Sequence, residues 1–207
     1  IVMVMGRDPV AEGLAASLAR PGGNVTGVAT LSVDAAPKRF ELLKELSPDV
    51  SKVGVLAAAG AVASQRMVRD LEPMARTLKL QPYFCDASAP AEIEVCIAQL
   101  AQSGAGAIYV VGNTMLASHS TLVVGAIAKH RLPAVYSVER HTDAGALMTY
   151  GPSVRKAFVR LGGYVDRILK GARPGDLPIE QVSDVEVWPG VSMDCAADVS
   201  PARARAR

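Results

Sequence analysis

The sequence predicts an α/β fold built from doubly wound parallel sheets. Short β-rich apolar runs alternate along the chain with amphipathic stretches of helical length, which is the order of a β-α-β chain. Several runs, such as 53–57 and 107–111, are apolar throughout, as strands buried on both faces are. Half of the 207 residues are hydrophobic, so a substantial core can form. No apolar run reaches the roughly 18 residues that a membrane helix needs.

The predicted strands are short runs rich in Val, Ile and Ala, bounded by turn residues. They are residues 1–5, 25–29, 52–57, 81–85, 107–111, 133–137, 146–150 and 182–187. The chain begins inside the first run, without Met and without the regions of an export signal. We therefore expect Ile1 to mark a cut through a longer protein.

The predicted helices are the amphipathic stretches between these strands. They are residues 8–20, 38–46, 63–78, 91–102, 116–130 and 154–169. Asp8 followed by Pro9 is typical of a helix start, since Asp caps the first turn and Pro suits the first helical position. From Trp188 onward no helical or strand period remains, and we expect 188–207 to be a disordered tail.

The charge of the chain argues against a nucleic-acid partner. Lys and Arg number 22 and Asp and Glu 20, which gives a net charge of +2. Three of the basic residues, Arg203, Arg205 and Arg207, lie in the terminal run PARARAR, so the rest of the chain carries one excess negative charge. A nucleic-acid-binding face would instead cluster its basic residues on one element of the fold.

The three cysteines are Cys85, Cys96 and Cys195. Their odd number and wide spacing predict neither a disulfide framework nor a zinc site. We interpret Cys85 and Cys96 as small buried apolar residues.

The usual signatures of catalysis are missing. The sequence has no GxxxxGK[ST], HExxH, GxSxG or CxxC motif, so we predict no catalytic residue, no cofactor and no metal. His119 and His130 share a predicted helix but would lie about 16 Å apart, too far for one metal ion to bridge.

Polar side chains follow several predicted strands at their carboxyl ends. In open α/β sheets, ligands bind at that edge. Asp8, Asn113 and Glu139 each come directly after a strand, and Tyr150 closes another. Each has a simpler interpretation: Asp8 and Asn113 as helix caps, Glu139 as a solvated loop residue, and Tyr150 as a half-buried packing residue. The residues alone leave both interpretations open.

Five stretches together resemble a known family, the ABC-importer substrate-binding proteins of the tryptophan/tyrosine-binding type. The first two are GRDPV (6–10) and LARPGGNVTG (18–27). The others are KRFELLKEL (38–46), ALMTYG (146–151) and YVDRILKG (164–171), the last leading to Asp-Leu-Pro at 176–178. The resemblance covers residues 1–187 nearly without gaps, and the second stretch is the most specific.

The resemblance implies a type I periplasmic-binding-protein fold with two lobes, three hinge crossings and a solute between the lobes. Residues 1–28 would be a remnant of an incomplete first lobe, 29–146 the second lobe, and 147–187 the return to the first. The hinge would pass near Val28 and Met148. Such proteins are periplasmic or held as lipoproteins, and they deliver a small solute to an ABC permease in the membrane.

The expected function is therefore the binding of an amino-acid-like solute or a small carboxylate by hinge closure, without catalysis. Asp8 and Thr26 would bond the solute from the first lobe, Asn113 and Glu139 from the second, and Tyr150 would form a wall near the hinge. Where many relatives have Asp, this chain has Asn113. A ligand ammonium would therefore need Glu139 or Asp8 as its counter-charge.

Three alternatives remain from the sequence. The same fold serves as the ligand-sensing domain of transcription regulators, which would carry a DNA-binding helix-turn-helix in front of it. An α/β enzyme would need a nucleophile and base pair, and none is visible. A truncated fragment without function is the third alternative.

Overall fold

The computed structural model describes residues 1–6, 8–30, 32–58, 60–182 and 185–189. The expected disordered tail lies outside the described residues except for Trp188 and Pro189, which belong to a strand.

The described strands form two sheets, and all but one strand pair is parallel. The smaller sheet has the order β1 (Val2–Met5), β2 (Thr26–Ala29), β8 (Glu180–Gln181). The larger sheet has the order β4-β3-β5-β6-β7-β9. Its strands are β3 (Lys52–Ala57), β4 (Gln81–Asp86), β5 (Ala107–Val110), β6 (Ala134–Tyr136), β7 (Met148–Pro152) and β9 (Val185–Pro189). Only β9 is antiparallel, pairing with β7 at the edge.

Seven α-helices cover these sheets in the described part of the chain. They are α1 (Ala36–Leu46), α2 (Ala61–Thr77), α3 (Ile93–Gln102), α4 (Thr114–Ser118), α5 (Ser120–Lys129), α6 (Arg140–Asp143) and α7 (Val154–Leu169). Helices α1 and α2 bury Phe40 and Leu71 against one face of the larger sheet, and α3 and α5 bury Ile97 and Ile127 against the other. Helix α7 packs on β1 and β2. The predicted doubly wound α/β class is confirmed.

We call the smaller sheet with α7 the three-stranded lobe, and the larger sheet with α1–α6 the six-stranded lobe. The chain passes between them three times: from β2 to α1, from β7 to α7, and from β8 to β9. The segment 147–187, expected to return to the first lobe, is thus divided. Helix α7 and β8 lie in the three-stranded lobe. Strand β7 lies in the larger sheet because it pairs with β6, and β9 joins the same sheet by pairing with β7.

The helix predicted over 8–20 is wrong. This segment forms hydrogen-bonded turns, in which the amides of Leu14 and Ala15 both donate to the Pro9 carbonyl. Gly13 adopts φ +72°, a left-handed conformation that interrupts a right-handed helix. The Ala16 amide then turns to the Pro21 carbonyl instead of extending the helical ladder.

The helix predicted over 116–130 is divided at His119, where α4 ends and α5 begins. The His119 ring Nδ1 lies 2.9 Å from the Met115 carbonyl oxygen. The same Met115 carbonyl also accepts the His119 amide at 3.1 Å, so the break lies in the backbone of His119, whose φ of −109° and ψ of 31° depart from helical values.

The interpretation of Cys85 and Cys96 as free apolar residues is also wrong. Their sulfurs form a disulfide, with the two Cα atoms 5.5 Å apart. The bond joins β4, at the edge of the larger sheet, to α3. The pairing depends on how α3 folds back along β4, which the spacing of cysteines in the sequence does not reveal.

Candidate functional site

The larger sheet changes its winding direction between β3 and β5. From β3 the chain proceeds outward to β4, whereas from β5 it proceeds the other way to β6 and β7. In open parallel sheets, ligands bind outside the carboxyl ends of the strands at such a switch point.

Asn113 lies at this switch point and joins the ends of the two strands. Its Nδ2 donates to the carbonyl of Ala58, directly after β3, at 2.7 Å. Its Oδ1 accepts from the amides of Met115 at 2.7 Å and Leu116 at 3.3 Å. Asn113 therefore caps α4, as the simpler interpretation expected, and is half-buried at the sheet edge.

Glu139 lies at the carboxyl end of β6, on the same edge as Asn113. The Ser153 hydroxyl donates to Glu139 Oε2 at 3.3 Å, at the residue where the chain leaves the larger sheet for α7. Ser137 bonds β6 to β5, since its hydroxyl donates to the Val110 carbonyl at 2.9 Å. Short polar side chains thus connect neighbouring strands along this edge.

Tyr150 lies on β7 and is half-buried against the core formed with α1 and α2. Its carbonyl accepts a hydrogen bond from Arg39 Nε at 2.7 Å. The following residue, Gly151, lies so close to β6 that a Cβ would sit 2.2 Å from the Ser137 carbonyl oxygen. This close approach fixes the end of β7 against the site edge.

His141 lies beneath the same edge and is completely buried. Its ring stacks on Tyr136 at 4.9 Å between centroids, and Nδ1 lies 3.0 Å from the Val138 carbonyl oxygen. Nε2 has no hydrogen-bond partner among the described residues. Loss of hydration on burial lowers the pKa of His141, and the bond to Val138 opposes this only in part.

The three-stranded lobe contributes a depression of about 250 Å³ at the carboxyl end of β1. It is lined by Met5, Gly6, Pro9, Glu12 and Leu14, so its walls are mainly apolar with one carboxylate.

Glu12 connects this depression to the other lobe. Its carboxylate forms an ion pair at 3.9 Å with Arg66 of α2. The depression therefore faces the six-stranded lobe. Its lining residues were not predicted as site residues from the sequence, although all except Met5 follow a predicted strand in the way that Asp8 does.

Asp8 and Thr26 have different positions. Asp8 is exposed near the depression and accepts a hydrogen bond from the Val10 amide at 2.9 Å. Thr26 is completely buried at the opposite, amino end of β2, and its hydroxyl donates to the Leu177 carbonyl at 2.8 Å. The structure brings Asn113, Glu139 and Tyr150 to one lobe and Asp8 to the other, and leaves Thr26 away from both carboxyl edges.

In the described ranges, His, Cys, Asp and Glu form no group of three or more that could hold a metal ion. No helix in the same ranges is long and apolar enough to cross a membrane.

A family model described as ABC transporter substrate binding protein matches residues 1–188. The chain belongs to this family. Among ABC transporter substrate-binding proteins, the tyrosine-binding protein of Clostridioides difficile (strain R20291) is 29% identical over 188 residues. The alignment covers 90% of this chain and 53% of that protein, so the chain spans about half the length of its curated relative.

Two solved structures are similar to this chain over most of its length. The ABC domain from Streptococcus pneumonia in complex with L-Trp has a TM-score of 0.76 and 26% identity, over 89% of this chain and 62% of that one. A conserved domain protein from Vibrio cholerae has a TM-score of 0.79 and 25% identity, over 88% and 60%. A periplasmic binding protein/LacI regulator from Alkaliphilus metalliredigens, with a TM-score of 0.56 and 12% identity, shares the fold alone. The fold is thus the type I periplasmic-binding-protein fold.

Proposed function

We propose that the chain is the extracytoplasmic solute-binding component of an ABC importer and presents its solute to a membrane permease. The observation that carries this proposal is the family match over residues 1–188. The disulfide between Cys85 and Cys96 supports an extracytoplasmic location, since disulfides persist in oxidising compartments.

The solute would bind between the lobes, where the carboxyl edge of the larger sheet faces the depression beside β1. Asn113 and Glu139 would contribute polar groups from the six-stranded lobe, with Tyr150 near the passage to α7. Asp8 would contribute from the three-stranded lobe, where its carboxylate is exposed. Thr26 has no part in this proposal because its buried hydroxyl is bonded to Leu177.

The depression favours an amino acid with an apolar or aromatic side chain. Met5, Pro9 and Leu14 offer apolar contacts, and Glu12 offers a carboxylate for the ligand ammonium. The ammonium would compete with Arg66 for that carboxylate. This chemistry agrees with a relative named for tyrosine and a similar structure that holds L-Trp.

Solute capture would proceed by hinge closure. A solute that contacts both lobes binds the closed arrangement more tightly than the open one, so its binding shifts the population toward closure. The three passages between the lobes would provide the hinge.

Calorimetric titration with L-tyrosine and L-tryptophan tests the proposal, with small carboxylates as a second series. We expect one of these ligands to bind. Glu12→Gln should then weaken amino-acid binding at least about tenfold, or about 1.4 kcal/mol, because it removes the charge and keeps the shape. Replacing Asn113 and Tyr150 together by Ala should weaken binding by a similar factor.

The matched control is Glu72→Gln. Glu72 pairs with Arg76 on α2, and its side chain is 38% exposed, against 37% for Glu12. This variant should bind like the wild type. Absence of binding in both ligand series would overturn the proposed function, and equal effects of the two Gln variants would move the ammonium site away from Glu12.

A further inference from the structure

Arg39 of α1 is a charged side chain with no solvent exposure. Its Nε donates to the Tyr150 carbonyl at 2.7 Å, and its Nη1 donates to the Tyr109 hydroxyl at 3.0 Å. Its Cζ also lies 5.6 Å from the centroid of the Tyr109 ring. One planar guanidinium thus bonds a backbone carbonyl and a hydroxyl and also contacts an aromatic face. The single ammonium of Lys does not reproduce this set of contacts.

The two elements that Arg39 joins are next to the passages between the lobes. Helix α1 follows the first passage, and the 3-10 turn Ser32–Ala35 before it packs against β7. Strand β7 ends at Pro152, directly before the second passage. The third passage leads into β9, which pairs with β7 along its length. All three passages therefore reach the six-stranded lobe around β7.

Gly151 makes room for this contact. A Cβ at Gly151 would lie 3.3 Å from Arg39 Nη2 and 2.2 Å from the Ser137 carbonyl oxygen. The Ser137 carbonyl and the Arg39 guanidinium thus both approach the β7 backbone on the side where a side chain at residue 151 would stand. Strand β7 can therefore shift little while Arg39 holds the Tyr150 carbonyl.

We propose that Arg39 is a positioning residue that makes the passages between the lobes move as one hinge. It ties the helix after the first passage to the strand at which the other two meet, so the lobes rotate about a single axis. This inference rests on the proposed function, in which that rotation captures the solute.

In the unliganded protein, loss of the Arg39 contacts should widen the distribution of distances between the lobes. Without the Arg39 tether, β7 and α1 move independently, and the lobes sample a wider range of orientations. In Arg39→Lys and Arg39→Met, we expect the distribution of interlobe distances to broaden about twofold. The Lys variant keeps the charge and most of the volume, and so it decides the outcome if the Met variant does not fold.

The measurement is double electron–electron resonance on the full chain. Spin labels are attached to p-acetylphenylalanine at positions 102 and 167, which are exposed on α3 and α7, so the cysteines stay untouched. Tyr109→Phe is the matched control, because it removes the hydroxyl contact inside the core and keeps the bond to β7. It should lower the melting temperature and leave the distance distribution unchanged.

Two results would overturn the proposal: an unchanged distribution in Arg39→Lys, or equal broadening in Arg39→Lys and Tyr109→Phe. The second result would show that Arg39 supports the core in general and does not couple the passages between the lobes. Because the labels report on the unliganded protein, a failure to bind amino acids would refute the proposed function and leave this test intact.

Discussion

Thr26 and Arg39 show what the family-like stretches do in this chain. The Thr26 hydroxyl, in the stretch 18–27, bonds the carbonyl of Leu177, which follows the stretch 164–171. The Arg39 guanidinium, in the stretch 38–46, bonds the carbonyl of Tyr150. Buried polar groups need partners, and here the partners come from the other recognisable stretches. These residues therefore serve packing between distant parts of the chain before any role in binding.

His141 should make the stability of the protein fall in mild acid. Burial lowers its pKa in the folded state below the ordinary 6.5, so the unfolded chain takes up a proton first as the pH falls. The free energy of unfolding is then highest above pH 6.5. It decreases below that pH, with a slope of at most about 1.4 kcal/mol per pH unit for one proton.

Urea denaturation between pH 7.5 and 5 measures this slope. His141→Gln should reduce it, and His130→Gln, at an exposed position, should not. Equal slopes in wild type and His141→Gln would show that other groups govern the pH dependence.

Single residues of the candidate site were only partly predictable. Asn113 and Glu139 could be placed at the sheet edge because each follows an apolar strand. Thr26 was expected in the site only through the family resemblance, although the predicted strand 25–29 already places it at the amino end, away from the carboxyl edge. Glu12 was missed because the segment after β1 was assigned to a helix, whereas its turns form the depression.

At the scale of elements, the central strands β3 and β5 were predictable because their runs are almost entirely apolar, as those of parallel strands buried on both faces are. Contacts across the chain decided the elements that were wrong. The segment 8–20 has a helix-like start, but Gly13 and the bond from Ala16 to Pro21 redirect it. The last strand extends to Pro189 because β7 offers it a free edge.

The disulfide between β4 and α3 should be a main support of the edge of the larger sheet. It closes a short loop, with a sequence separation of 11, and loops of this size contribute about 3 kcal/mol. Replacing Cys85 and Cys96 together by Ser should lower the free energy of unfolding by about that amount. Guanidinium denaturation with and without a phosphine reductant measures this difference in the free energy of unfolding. The reductant should destabilise the wild type and leave the stability of the double variant unchanged.

Cys195→Ser is the control for this prediction, since it retains the Cys85–Cys96 pair. It should match the wild type in stability and in sensitivity to the reductant. A wild type whose denaturation midpoint does not respond to reduction would contradict the expected contribution of the disulfide.

At the scale of the whole molecule, the two lobes have unequal cores. The larger sheet is covered on both faces, and β3 and β5 are almost entirely buried. In the three-stranded lobe, β1 is only half-buried over most of its length. Helix α7 leaves Phe158 60% and Leu169 82% exposed. Because local opening follows the amount of buried apolar contact, the three-stranded lobe should open at a lower free energy than the other.

Hydrogen exchange followed by mass spectrometry can resolve this difference. Peptides covering β1 and β2 should exchange before those covering β3 and β5. Leu177, 2% exposed, belongs to the core under β2, and Leu177→Ala should speed exchange in β1 and β2 alone. Ile108→Ala, in the core of the larger sheet, should speed exchange in β3 and β5. If either variant accelerated all four strands equally, the two lobes would be one cooperative unit, and the hinge would join parts that cannot open separately.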